Sequence, residues 1–184
     1  MAYRLKTVKW IFIACLTVLS MSLYAYARGE PSEDQVKAAF VFNFAKFVDW
    51  PDVALKSGDT LNLCVTGKDK TTEALKQLSQ REVQGHLLHI INIIDEPDAL
   101  ADYECHVLFI GISEKRRQQQ WLAKVQNQAV LTIADNLDFI KEGGMISLYT
   151  EAQRVQFVVN QSVTQGTGLK LSARMLQLAR VPRE

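Results

Sequence analysis

Apolar and polar positions alternate along this chain in two rhythms, one near 3.6 residues and one of two, and the changes of rhythm mark the elements. Ser32-Glu-Asp-Gln35 has the spacing of a capping box, and a helix is predicted from there to about Trp50, where Pro51 stops it. Leu61 to Thr66 alternates and reads as a strand ended by Gly67; Thr71 to about Gln80 reads as a helix. Leu87 to Ile94 is a β-branched apolar strand, a short helix is placed after Pro97, and Cys105 to Ile110 is a buried strand closed by Gly111. Ser113 is expected to cap a polar helix reaching about Val125. Ala129 to Ile133 is a strand, and Asn136 to Lys141 one or two helical turns. Met145 to Tyr149 and Val155 to Val159 are expected to form a hairpin around Thr150-Glu-Ala-Gln153, and a final helix runs from about Leu169 to Arg180.

Strands that alternate with helices imply βαβ units and a parallel sheet, and the late hairpin adds an antiparallel edge. The expected fold is α/β: a three-layer sandwich with a mainly parallel sheet and an antiparallel C-terminal hairpin, similar to one lobe of a periplasmic binding protein. No repeat, low-complexity tract or Pro/Gly-rich linker interrupts residues 28–184, which read as a single domain.

The amino-terminal rhythm is different. Arg4, Lys6 and Lys9 precede an apolar run from Trp10 to about Leu23 that ends in Ala25-Tyr26-Ala27, the pattern of a secretory signal peptide cleaved after Ala27. The run is shorter than the roughly 20 residues of a spanning helix. Cys15 opens a lipoprotein alternative, but only Ile11 to Ala14 precede it as apolar residues, with Phe12 where Leu is usual. Removing the leader takes three basic residues away and leaves 18 basic against 20 acidic side chains. That balance offers no field for nucleic acid. It also leaves two cysteines, Cys64 and Cys105, and two cysteines in an exported chain most simply form one disulfide.

Candidate chemistry is sparse. Gly67-Lys-Asp-Lys-Thr-Thr72 follows a strand and opens a helix, the place where α/β sheets hold ligands, so Gly67 and Thr71 are ligand candidates, although the segment lacks the P-loop order. His86, His89 and His106 have no ligand at metal spacing. Asp135, at the end of a strand, reads as a cap for the next turn, and Lys115-Arg-Arg117 as a solvated face. No nucleophile, base and orienter fall together, so an enzyme is not expected, and no cofactor or metal is called for.

The first helix is more telling. Steps of about 100° place Val36, Phe40, Val41, Phe44, Phe47 and Val48 on one apolar arc, expected to be core. Phe42 falls on the polar arc with Gln35, Lys46 and Asp49, a candidate anchor for a partner. On the last helix, Lys170 and Arg174 stand four apart on the polar side, suited to an anionic ligand or an acidic partner, while Leu171, Met175, Leu176 and Leu178 lie opposite. Asn43, Lys46 and Trp50 complete the partner-binding candidates.

These motifs together resemble a known family. Val36-Lys-Ala-Ala-Phe-Val-Phe-Asn-Phe-Ala-Lys-Phe-Val-Asp-Trp-Pro51, Leu63-Cys-Val-Thr-Gly67, Cys105-His-Val-Leu-Phe-Ile110, Val130-Leu-Thr-Ile-Ala-Asp135 and Gly143-Gly-Met-Ile-Ser-Leu-Tyr149 occur in that order. Arg154-Val-Gln-Phe-Val-Val-Asn160 and Gly168-Leu-Lys-Leu-Ser-Ala-Arg-Met-Leu-Gln-Leu-Ala-Arg180 follow. The pattern is similar to the YfiR family of periplasmic proteins. The resemblance implies a repressor of an inner-membrane diguanylate cyclase that binds the cyclase's periplasmic part, lowers cyclic di-GMP and restrains biofilm formation. It also implies sequestration by an outer-membrane lipoprotein, a homodimer, and a ligand or partner surface that includes Arg174. Cys64 and Cys105 match the family's first cysteine pair; a second pair, expected near the hairpin, is missing between Met145 and Phe157. The alternative reading is a small-molecule-binding or sensor lobe that acts on another membrane partner.

Overall fold

The computed structural model describes residues 30–94 and 96–180; the leader read at 1–27, with Cys15, lies outside them. The described residues from Glu33 onward make one compact unit. In order, it holds α1 (Glu33–Lys46), β1 (Val48–Asp49), β2 (Leu61–Gly67), α2 (Lys70–Lys76), β3 (Glu82–Val83), β4 (His86–Asn92) and a 3-10 turn at Pro97–Asp102. Then come β5 (Val107–Gly111), α3 (Lys115–Lys124), β6 (Leu131–Ala134), a second 3-10 turn at Leu137–Ile140, β7 (Ile146–Glu151), β8 (Arg154–Val159), α4 (Gln161–Gln165), β9 (Lys170–Leu171) and α5 (Ala173–Leu178).

Seven strands form one sheet in the order β3-β4-β2-β5-β6-β7-β8. The five central ones run parallel. β3 and β8 are antiparallel at the two edges. This is the three-layer, mainly parallel α/β sandwich that the alternation of elements predicts.

The strands read as continuous apolar runs because both faces are covered. On one face Leu61, Leu63 and Val65 of β2, Phe109 of β5 and Ile133 of β6 meet Ala38, Val41 and Phe44 of α1 and Leu75 of α2. On the other, Cys64, Leu108, Ile110 and Ala134 meet Leu100, Phe139 and Trp121. Trp121 has no exposure at all, and only it and Gln118 are buried in the otherwise polar α3. One aromatic side chain therefore seats most of that helix. The aromatic part of the α1 face is a triangle: Phe44 lies 4.8 Å from Phe157 of β8, and Phe40 lies 5.9 Å from both.

Several boundaries differ from expectation. α1 stops at Lys46 rather than Trp50, because Val48 and Asp49 turn extended and pair antiparallel with Leu171 and Lys170. The same pairing takes Lys170 out of the last helix, which starts only after Ser172, whose hydroxyl accepts from Met175 N–H. Lys170 and Arg174 are thus not one turn apart on a helix, and Leu178, expected on an apolar face, is 65% exposed. Glu114, not Ser113, precedes α3, and it makes no side-chain cap. Asp135 is not a cap either; Asn136 takes that role for the second 3-10 turn, accepting from Asp138 N–H. The hairpin turn is the two-residue Ala152-Gln153, both with positive φ (48° and 60°).

Cys64 and Cys105 are disulfide-bonded, with Cα atoms 5.8 Å apart and 41 residues of separation. Cys64 sits mid-strand with no exposure, so the bond ties the segment entering β5 to the centre of the sheet. A loop of that length contributes about 4 kcal/mol in the chain-entropy account. Reduction, or the double variant Cys64→Ala/Cys105→Ala, is expected to lower Tm by roughly 8–16 °C for a domain of this size. Scanning calorimetry with and without reductant checks it, and the double variant should show no further response to reductant.

Candidate functional site

The parallel strands run β4-β2-β5, so the strand order reverses between β2 and β5, and the carboxyl ends there are the usual ligand crevice of such sheets. Gly67 and Gly111 stand in register at that crest. Gly67 has φ +86°, and a Cβ there would collide with the Gly111 carbonyl. A Cβ on Gly111 would meet Thr72 Oγ1 and the Thr66 carbonyl. The crest is filled by the protein's own groups: Asp69 Oδ1 accepts from Thr72 N–H at 2.6 Å as the cap of α2, and the Thr72 hydroxyl donates to Thr66 O at 3.3 Å. Thr71 is buried, its hydroxyl donating to Asp34 Oδ1 at 3.0 Å. Its polar group is spent on holding α2 to the first turn of α1.

Beside the crest, Lys37 is buried to 6% exposure. Its ammonium donates to Asp135 Oδ2 at 2.6 Å and is paired with Glu33 one turn earlier. Glu33 in turn accepts from the Thr150 hydroxyl at 2.7 Å. Burial works against the ammonium, yet hydrogen bonds to the two carboxylates outweigh it and hold Lys37 above its ordinary range. Burial pushes the Asp135 carboxyl up, and Lys37 only partly pulls it back. The α1 wheel missed this residue: Lys37, Ala38 and Ala45 are buried along with Val41 and Phe44, while Val36 is only half-buried. The helix packs against both the sheet and α2, so its covered arc is wider than one apolar stripe.

The other end of α1, about 20 Å from Glu33 at 1.5 Å per residue, is where the partner candidates gather. β1 and β9 join the exit of α1 to the entry of α5, and Ser172 N–H donates to Phe47 O at 2.9 Å. The two segments singled out in the sequence are therefore neighbours. Gln84, in the turn between β3 and β4, donates from Nε2 to the carbonyls of Lys46 (2.9 Å) and Val48 (3.2 Å), satisfying acceptors that a helix end leaves open. Phe42 is half-buried against the core, not an exposed anchor. The Lys46 ammonium lies 4.3 Å from its ring centroid and the Arg81 guanidinium 5.7 Å, so cations rather than water cover its face. Asn43, Lys46, Lys170 and Arg174 are exposed. Of the ligand candidates, Arg174 is thus at the opposite end of α1 from Gly67 and Thr71.

Trp50 is buried, and its indole N–H donates to His106 O at 3.2 Å. His106, 3% exposed, is the post on which this end of the molecule rests. Its Nδ1 accepts from Asn62 N–H at 3.0 Å, so the ring proton is on Nε2, which donates to Ala54 O at 3.0 Å. Neither the buried lysine nor this histidine lock could be read from spacing, because each depends on partners 44 to 98 residues away.

A family model described as YfiR/HmsC-like matches residues 34–180, from the first turn of α1 to the last described residue. The chain belongs to that family.

Two outcomes follow from these geometries. Lys37→Met strands the Asp135 carboxyl, a quarter exposed, and is expected to cost roughly 2–4 kcal/mol, with much of the loss restored by adding Asp135→Leu; urea unfolding of the two variants measures this. Burial holds the His106 pKa below the ordinary histidine value. The unfolded chain then binds the extra proton first, so the neutral ring's contribution is complete above about pH 6.5 and is lost as pH falls towards the folded pKa. Tm should drop between pH 7.5 and 5, and His106→Gln should flatten that slope.

Proposed function

We propose that this YfiR/HmsC-like protein is a periplasmic regulator that binds the periplasmic sensor region of an inner-membrane diguanylate cyclase and holds the enzyme inactive, lowering cyclic di-GMP. The observation that carries the reading is the family match over 34–180, which spans the whole sheet and both segments of the β1–β9 junction. Among the described residues no helix is long and apolar enough to cross a membrane; in this scheme the cyclase is the component that crosses it. The protein does no chemistry in this scheme. An outer-membrane lipoprotein that sequesters it, and self-association as a homodimer, fit the same scheme as further contacts.

The contact surface we assign is the junction where α1 ends and α5 begins. It is rigid, since it is held by the β1–β9 pair, Gln84 and the buried Trp50. Cations outnumber acids there: Lys46 and Arg81 lie over Phe42, Lys170 is exposed on β9 opposite the exposed Asp49, and Arg174 is exposed just beyond. An acidic face on the cyclase is the complementary partner, and opposed potentials of this kind set both orientation and association rate.

Lys170→Glu/Arg174→Glu leaves the core untouched and is expected to fold and export normally, yet to bind the sensor region at least tenfold more weakly and to raise cellular cyclic di-GMP. Calorimetric titration with the isolated sensor region, alongside nucleotide quantification in cells, reads both. Normal affinity in this variant would place the contact elsewhere on the molecule.

A further inference from the structure

Away from the β1–β9 junction, a cavity of about 450 Å³ opens between the carboxyl-terminal half of α3, the loop before β7, and α4. Its volume is in the range of small-molecule sites. Leu122, Ala123, Val125, Met145 and Val163 supply apolar wall, and the rest of the lining is uncharged except for Glu142. Among the described residues nothing cationic lines the cavity. The last turn of α3 borders it, so the negative end of that helix faces the same space. Lys124, in that turn, is paired with Asp98 and does not line the cavity.

Glu142 is unusual in its pairing. Its side chain is 7% exposed, yet its ion-pair partner, Lys115, is 72% exposed. Gln119 donates a second hydrogen bond from Nε2. The lysine's hydrogen bond, with the amide's support, keeps the carboxyl below its ordinary range. A sheltered carboxylate is thus neutralised by a flexible surface cation that gives up little when it swings back into water. The same carboxylate also borders a second, more polar cavity of about 480 Å³ in which Lys115 itself is a wall. Lys115 takes Oε1 of Glu142, and Gln119, itself a wall of the first cavity, takes Oε2, so the carboxylate stands where the two cavities meet.

We propose that the cavity between α3 and α4 binds a small organic cation, a primary amine with an apolar body. Its ammonium takes Lys115's place at Glu142, and its body lies against Leu122, Val125, Met145 and Val163. The site is independent of the cyclase-binding reading and lies on different elements.

Benzylamine, cationic at pH 7, is the probe, with benzyl alcohol and benzoate as the neutral and anionic counterparts. Amide chemical shifts of the labelled protein should move on titration with benzylamine at Asn127, Gly143 and Val163, and binding of benzyl alcohol and of benzoate should be at least tenfold weaker. Glu142→Gln should weaken the amine at least tenfold, whereas Lys115→Ala, which removes the competing cation, should tighten it severalfold. That opposite response is not expected of a merely structural ion pair. The proposal is overturned if the alcohol binds as well as the amine, if shifts scatter over surface carboxylates instead of the cavity, or if Lys115→Ala leaves affinity unchanged or weaker. Should Glu142→Gln disturb the loop, the Lys115→Ala result decides by itself.

Discussion

A parallel sheet has to be covered on both faces, and everything else in this molecule is arranged around that requirement. β2 shows it residue by residue: Leu61, Leu63 and Val65 belong to the core under α1, and Cys64 to the core under α3. The first layer is supplied by an aromatic helix that buries itself well. The second is assembled from little: two 3-10 turns and a helix whose sequence is mostly Lys, Arg and Gln, seated by Trp121. The Cys64–Cys105 bond is in the thinner half of the protein, where apolar burial alone provides least.

The second organising feature is that the exit of α1 meets the entry of α5. β1 and β9 are only two residues each, too short to persist alone. They hold because their surroundings are fixed: Gln84 ties down the end of α1, Trp50 is bonded to the His106 carbonyl, and the imidazole spans from Asn62 to Ala54. The chain then continues past α5 to lay Arg180 along β8, where its N–H donates to Phe157 O at 2.8 Å. The surface assigned to the partner is accordingly rigid, and a partner would pay little ordering entropy to use it.

At the switch point between β2 and β5, where such folds commonly hold ligands, the strand ends have instead been given to internal contacts. Gly67 and Gly111 let backbone approach backbone, Asp69 and Thr72 close the gap, and Lys37 neutralises Asp135 beside it. A fold that often binds small molecules at its switch point here leaves open space past it, in the loops after β5 and β6 and beside α3.

The sequence by itself determined the class of the fold and most of its strands. Apolar periodicity depends only on which face a residue presents, and the covered strands β2, β4, β5, β6 and β7 carry that signal strongly. It also carried the family, since the matched motifs are those same strands with the first and last helices, and the disulfide, since Cys64 and Cys105 are the pair that remains once the expected leader is set aside. Tertiary structure decided what depends on distant partners. The helix pattern of α1 continues locally past Lys46, and only pairing with residues 170–171 ends it. Ala152-Gln153 lacks the Asn-Gly signature of its turn and is held in positive φ by the two strands it joins. Phe42 reads as exposed on a helical wheel because a wheel does not know that Arg81 will lie across it. Lys37 draws no reading from the sequence because its counter-charge, Asp135, is 98 residues on. Each miss has one physical cause: spacing reports the face a residue presents, but not which element arrives to cover it.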